Sequence, residues 1–155
     1  MRDLHAAGDG GWMTRYPDRS SSIPLGEVGM HGDGTDIALV SFANGYYLSR
    51  QAERQLAAEG IKTRAVDLRW LSPLPEAGLL EAVKGAKRIL IVDETRRSGG
   101  VAEGLMALLS EKTAVPLARL TAEDSFIATG PAYAATMPST EQIVAAAKAL
   151  LEQPA

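Results

Sequence analysis

The sequence predicts an α/β three-layer sandwich, a five-stranded and mostly parallel sheet with helices on both faces. Three features of residues 26–152 carry this expectation. Strand-like and helix-like segments alternate, which in one domain gives parallel strands joined by covering helices. Two segments, DIALVSFA (36–43) and RILIVDE (88–94), hold continuous apolar runs, as strands buried on both faces do. Gly60 and Gly85 stand just past helical patterns, where a left-handed cap is wanted.

The elements follow in order. GEVGMHG (26–32) is a short, glycine-broken strand suited to a sheet edge, closed by the turn GDGT. Residues 36–43 form a central strand. Residues 46–59 place Leu48, Ala52 and Leu56 on one helical face. KTRAVDLRW (62–70) is a strand with Val66, Leu68 and Trp70 sharing a face. Ser72–Pro75 is a turn stiffened by two prolines, with Pro75 suited to the first position of the next helix. Residues 76–84 form that helix with Leu79, Leu80 and Val83 inward, and 88–94 the second central strand. Residues 100–112 are a helix through Val101, Leu105 and Leu108. VPLARL (115–120) is an edge strand, because Pro116 has no N–H for a ladder. After a long loop a helix runs from about 140 to 152, and Ser139 with Gln142 fits a capping box.

Composition narrows the function classes. The chain has 155 residues, 46% hydrophobic and 23% charged, enough to bury a core in one domain. A net charge of -3 argues against a nucleic-acid face. The absence of cysteine removes disulfides, thiolate metal sites and a cysteine nucleophile, and the two histidines cannot build a His-rich metal site alone. No apolar run reaches the ~18 residues of a membrane span, and no apolar signal core opens the chain, so the expected location is the cytosol. Residues 1–22, rich in Gly, Ser and charge, read as a linker or arm, and 23–155 as the domain.

Three motifs could carry chemistry. GDG occurs at 8–10 and 32–34, but no apolar strand precedes the first, and the second reads as a turn between strands. SGGVAEG (98–104) opens a helix after a strand, where backbone N–H groups can hold an anion or a close-packed neighbour, although it matches neither a P-loop nor G-x-G-x-x-G. Asp93 and Glu94, at the end of a central strand, are either a paired-carboxylate acid/base site or solvated caps.

IPLGEVGMHGDGTDIALVSFANG, VDLRWLSPL, ILIVDE and SGGVAEGL together resemble the C-terminal domain shared by transketolases and the β-type subunits of thiamine-dependent 2-oxoacid dehydrogenases. The resemblance runs from about Ile23 to the end and is nearer the dehydrogenase branch. It implies a mixed sheet whose first strand is antiparallel at an edge. It also implies a full enzyme that decarboxylates a 2-oxo acid on thiamine diphosphate, with that cofactor and magnesium held by other domains. In that enzyme this domain makes subunit contacts, in the full enzyme within a homodimer, and docks the subunit-binding domain of the acyltransferase. No catalytic, cofactor-binding or metal-binding residue transfers to this chain. The candidate interface residues are Leu71, Pro73, Leu74, Glu94, Gly99, Gly100 and Asp124. Two departures stand out: Pro75 replaces a capping Asp, and the loop AEDSFIATGPAYAATMPST keeps Asp124 but is otherwise altered. The same domain from a transketolase or deoxyxylulose-phosphate synthase, or a free-standing flavodoxin-like module with a small ligand at Ser41–Gly45 and Asp93–Ser98, are the alternative expectations.

Overall fold

The computed structural model describes Ser20 and residues 22–154. The arm expected over residues 1–22 lies, but for Ser20 and Ser22, outside the described residues. Strands β1 (Gly29–His31), β2 (Ile37–Ser41), β3 (Thr63–Asp67), β4 (Ile89–Arg96) and β5 (Leu117–Ala122) alternate with helices α1 (Ala43–Ala58), α2 (Glu76–Val83), α3 (Val101–Lys112) and α4 (Thr140–Leu151). The strand order is β1-β3-β2-β4-β5. β1 runs antiparallel to β3 and every other pairing is parallel. The apolar runs in β2 and β4 thus occupy central places, and the glycine-rich and proline-led strands occupy the two edges.

Period-two alternation divides the core. Ala38, Val40, Val66, Ile89 and Ile91 face α2 and α3, meeting Leu79, Val83, Leu105 and Leu109. Ile37, Leu39, Leu90 and Val92 face α1 and α4, meeting Ala52, Leu56, Ile143 and Leu150. Most of these side chains are fully buried. Each large one stabilises the fold by ~1.5–3 kcal/mol relative to exposure.

Local signals hold in detail. Gly60 and Gly85 take φ of 80° and 78° just beyond α1 and α2. Ser139 accepts the amide of Gln142 while the Gln142 side chain accepts that of Ser139, completing the capping box of α4. The GDG at 32–34 lies in the connection from β1 to β2 that passes the start of β3, and a Cβ on Gly34 would overlap the Lys62–Thr63 peptide.

Three expectations shift. Pro75 is the N-cap of α2 rather than its first helical residue, and its carbonyl accepts the Leu79 amide at 2.8 Å. β3 stops at Asp67 because Arg69 turns to φ 58°, so half-buried Trp70 leaves the face of Val66 and Leu68. The long loop contains a short 3₁₀ helix, Gly130–Ala135, begun by Pro131.

Candidate functional site

The parallel strands end together at one edge of the sheet, where crevices form in folds of this kind. At the end of β4, Asp93 and Glu94 point to opposite faces, because successive strand side chains alternate. Asp93 is fully buried on the α3 side, and its carboxylate accepts the amides of Thr95 and Ala102, each at 2.7 Å. It therefore caps α3, whose own N-cap, Gly100, has no side chain to do so. Gly100 is required there for space as well: a Cβ would lie 2.6 Å from Thr95 Oγ1 and 3.2 Å from Asp93 Oδ2.

Glu94 turns to the α1 side and accepts the Asn44 amide at 3.3 Å. The N-cap of α1, Phe42, also offers no side-chain acceptor, so Glu94 completes that helix start. Burial pushes the Glu94 carboxyl above its ordinary value, against the lowering effect of Asn44. The two carboxylates are thus separated by the sheet, each bound to a different helix. That arrangement does not make the paired acid/base site weighed from the sequence.

Beyond β4 the loop 97–100 lies against the loop after β5. Asp124 Oδ1 accepts the Ser98 amide at 2.8 Å and Oδ2 accepts the Ser98 hydroxyl at 2.6 Å. These bonds hold the Asp124 carboxyl below the usual carboxylate range. Arg119 of β5 donates to the Arg97 carbonyl at 3.1 Å, tying that strand to the same loop. An open cleft of about 520 Å³ lies here, lined by Arg96, Ser98, Asp124, Ser125 and Phe126. Phe126 is 100% exposed, and Ile127 and Tyr133 of the same loop are about half exposed.

The seven residues singled out from the sequence all lie at this edge, in two groups. Glu94, near the end of β4, groups with Gly99, Gly100 and Asp124 of the β4–α3 and post-β5 loops; Leu71, Pro73 and Leu74 belong to the corner after β3. Leu71 and Pro73 are exposed. Leu74 is instead half-buried against the α2–α3 core, with Cδ1 3.8 Å from the position of a Cβ on Gly104. Ser125 and Phe126 were not singled out, and Arg96 and Ser98 were considered only within the Asp93–Ser98 stretch as a possible small-ligand site. The available signal was the apolar trio Phe126, Ile127 and Tyr133 within an otherwise small and polar loop.

Asp33, in the second GDG, and Asn44, the chain's one asparagine, flank opposite ends of β2. Five strand residues separate those ends by roughly 16 Å. Among the described residues no cluster of three or more His, Asp or Glu side chains could hold a metal ion. No helix among them is long and apolar enough to cross a membrane.

A parallel α/β sandwich with one antiparallel edge strand, helix starts capped from the sheet and an open cleft at the strand ends defines the class. Residues 26–143 match the model of the transketolase C-terminal domain, and the chain belongs to that family. It is 25% identical over 140 residues to the pyruvate dehydrogenase E1 component subunit beta of Bacillus subtilis (strain 168), covering 88% of this chain and 43% of the relative. It is 33% identical over 96 residues to the acetoin:2,6-dichlorophenolindophenol oxidoreductase subunit beta of Cupriavidus necator (strain ATCC 17699 / DSM 428 / KCTC 22496 / NCIMB 10442 / H16 / Stanier 337), covering 62% of this chain and 28% of the relative. The fold is similar to a solved split-gene transketolase, described as an inactive beta4 tetramer, with a TM-score of 0.74 at 23% identity over 83% of this chain and 42% of that one. The chain spans less than half the length of these relatives.

Proposed function

We propose that this chain is the C-terminal assembly domain of a β-type first component of a thiamine-diphosphate-dependent 2-oxoacid dehydrogenase. It contributes subunit contacts and docks the subunit-binding domain of the acyltransferase, while thiamine diphosphate and magnesium belong to other domains of the full enzyme. The likeness to the β subunits of pyruvate dehydrogenase supports the dehydrogenase branch. The observation that carries the docking role is the fully exposed Phe126 ring beside the Arg96–Asp124 cleft. A solvated aromatic beside charged and hydroxyl groups is the composition of an interface centre and its polar rim.

The test is calorimetric titration of the protein with a purified acyltransferase subunit-binding domain. Wild-type protein is expected to bind, and Phe126→Ser to lose about 2 kcal/mol or more of affinity, as interface anchors do. Equal binding by Phe126→Ser, or no binding by wild type, overturns docking at this cleft. A parallel titration with thiamine diphosphate and magnesium is expected to show no heat of 1:1 binding.

A further inference from the structure

We propose that the Asp67–Trp70 corner is a latch that fixes the direction in which Ser22–Val28 enter the sheet. The latched piece is the turn Pro24–Glu27. Its closing bond runs from the Glu27 amide to the Pro24 carbonyl at 3.1 Å, with Gly26 in the left-handed region at φ 81°. That same carbonyl accepts the indole N–H of Trp70 at 3.1 Å, and the Glu27 carboxylate pairs with Arg69 Nη1 at 2.7 Å. Two consecutive side chains of the corner therefore grip both ends of one turn.

The corner is set for this grip. Arg69 holds φ 58°, a conformation that non-glycine residues seldom adopt, and its amide donates to Asp67 Oδ1 at 3.3 Å. Close packing surrounds the grip. A Cβ on Gly29 would lie 2.6–2.8 Å from the Arg69 guanidinium, and one on Gly78 of α2 would lie 3.0 Å from Val28 Cγ2 and 3.4 Å from the Gly26 carbonyl. Apolar burial is not what holds the turn, since Leu25 is 67% and Ile23 46% exposed. The strand that follows has only three residues, too short to orient the entering chain by itself. The polar contacts of Arg69 and Trp70 decide the entry angle, which makes them positioning residues. This assignment needs no cofactor, acyltransferase or dehydrogenase activity, so it stands or falls apart from the proposed function.

The chain has no cysteine, so spin labels at Ser22→Cys and Glu111→Cys report one distance without background. The protein with an intact latch is expected to give a single narrow distance distribution. Adding Trp70→Phe and Arg69→Gln is expected to widen it about twofold and to speed exchange of the Glu27 amide about tenfold, while amides of β2 and β4 stay protected, as in local opening. A broad distribution before substitution, unchanged width and exchange after it, or equal acceleration in β2 and β4 overturns the latch. If the double substitution prevents folding, Glu27→Gln in the labelled protein is the deciding variant, because it removes the ion pair from the exposed turn and leaves the corner intact. It must widen the distribution, and no widening overturns the proposal.

Discussion

Asp93 Oδ2 accepts the Ala102 amide at 2.7 Å, so the end of the central strand β4 caps the helix that follows it. Oδ1 of the same carboxylate accepts the Thr95 amide, also at 2.7 Å. Asp93→Ala leaves both donors without this acceptor beneath α3. It is expected to cost about 2–3 kcal/mol, the scale of hydrogen bonds to a charged group. Asp93→Asn keeps one acceptor oxygen and is expected to cost roughly half as much, by the same measure of charge-assisted bonding. Urea unfolding followed by far-ultraviolet circular dichroism checks both values.

Glu94 sets a pH dependence of its own. Burial raises its carboxyl in the folded protein, so the folded state holds the proton more tightly than the unfolded chain. Its contribution to stability is present in full below the ordinary value of 4.5 and is lost as pH rises through the folded value. Glu94→Gln removes that decline while keeping an oxygen for the Asn44 amide. Asp36, held low by its bond to Lys87, and Asp124, held low by Ser98, act in the opposite direction, losing stability as pH falls below 3.8. Urea midpoints of the wild type and Glu94→Gln are therefore expected to converge in acid and to separate toward neutral pH, with the variant higher. Parallel curves from pH 4.5 upward would contradict the assignment.

Arg64 performs a task its place in a strand does not advertise. It is only 8% exposed, and its guanidinium donates to the carbonyls of Gly34 at 2.7 Å, Ala82 at 3.2 Å and Lys84 at 3.1 Å. One cation thus joins the entry to β2 with the end of α2. Arg64→Met fills similar space but leaves these carbonyls without the donor, and is expected to cost about 2–3 kcal/mol. Arg64→Lys restores one point of contact in place of a fork and is expected to recover less than half of that loss. Chemical denaturation of the two variants distinguishes charge from geometry.

Two glycines separate crowding from backbone conformation. Gly34→Ala places a methyl into the Lys62–Thr63 peptide and is expected to cost about 1–3 kcal/mol by overpacking. Gly60 faces open space but has φ 80°, so Gly60→Ala is expected to cost about 1–2 kcal/mol through backbone strain. Asparagine tolerates the left-handed region, so Gly60→Asn is expected to approach wild-type stability, whereas Gly34→Asn is worse than Gly34→Ala. Thermal melts of the four variants check this order.

Much of this architecture was legible before any coordinates. The unbroken apolar runs of β2 and β4 mark strands with both faces covered, and Pro116 marks an edge, because each follows from a property of a few adjacent residues. The capping box at Ser139 and the stops at Gly60 and Gly85 are local for the same reason. The candidate site was less legible. Adjacency left Asp93 and Glu94 open as an acid/base pair or as solvated caps, whereas the pleat sends them to opposite faces and to two different helices. The bond between Ser98 and Asp124, 26 residues apart, left no trace in spacing.

The sequence alone determined the order of elements, the central and edge strands, the stops of α1 and α2 and the start of α4, since periodicity and φ preferences act over a turn or a pleat. The tertiary structure alone decided which carboxylate caps which helix, that Arg64 binds carbonyls of both the β2 entry and the end of α2, and that Trp70 leaves the strand to bind the Pro24 carbonyl. Each of these depends on groups far apart along the chain, which come within hydrogen-bonding distance only when the sheet and its helices pack together.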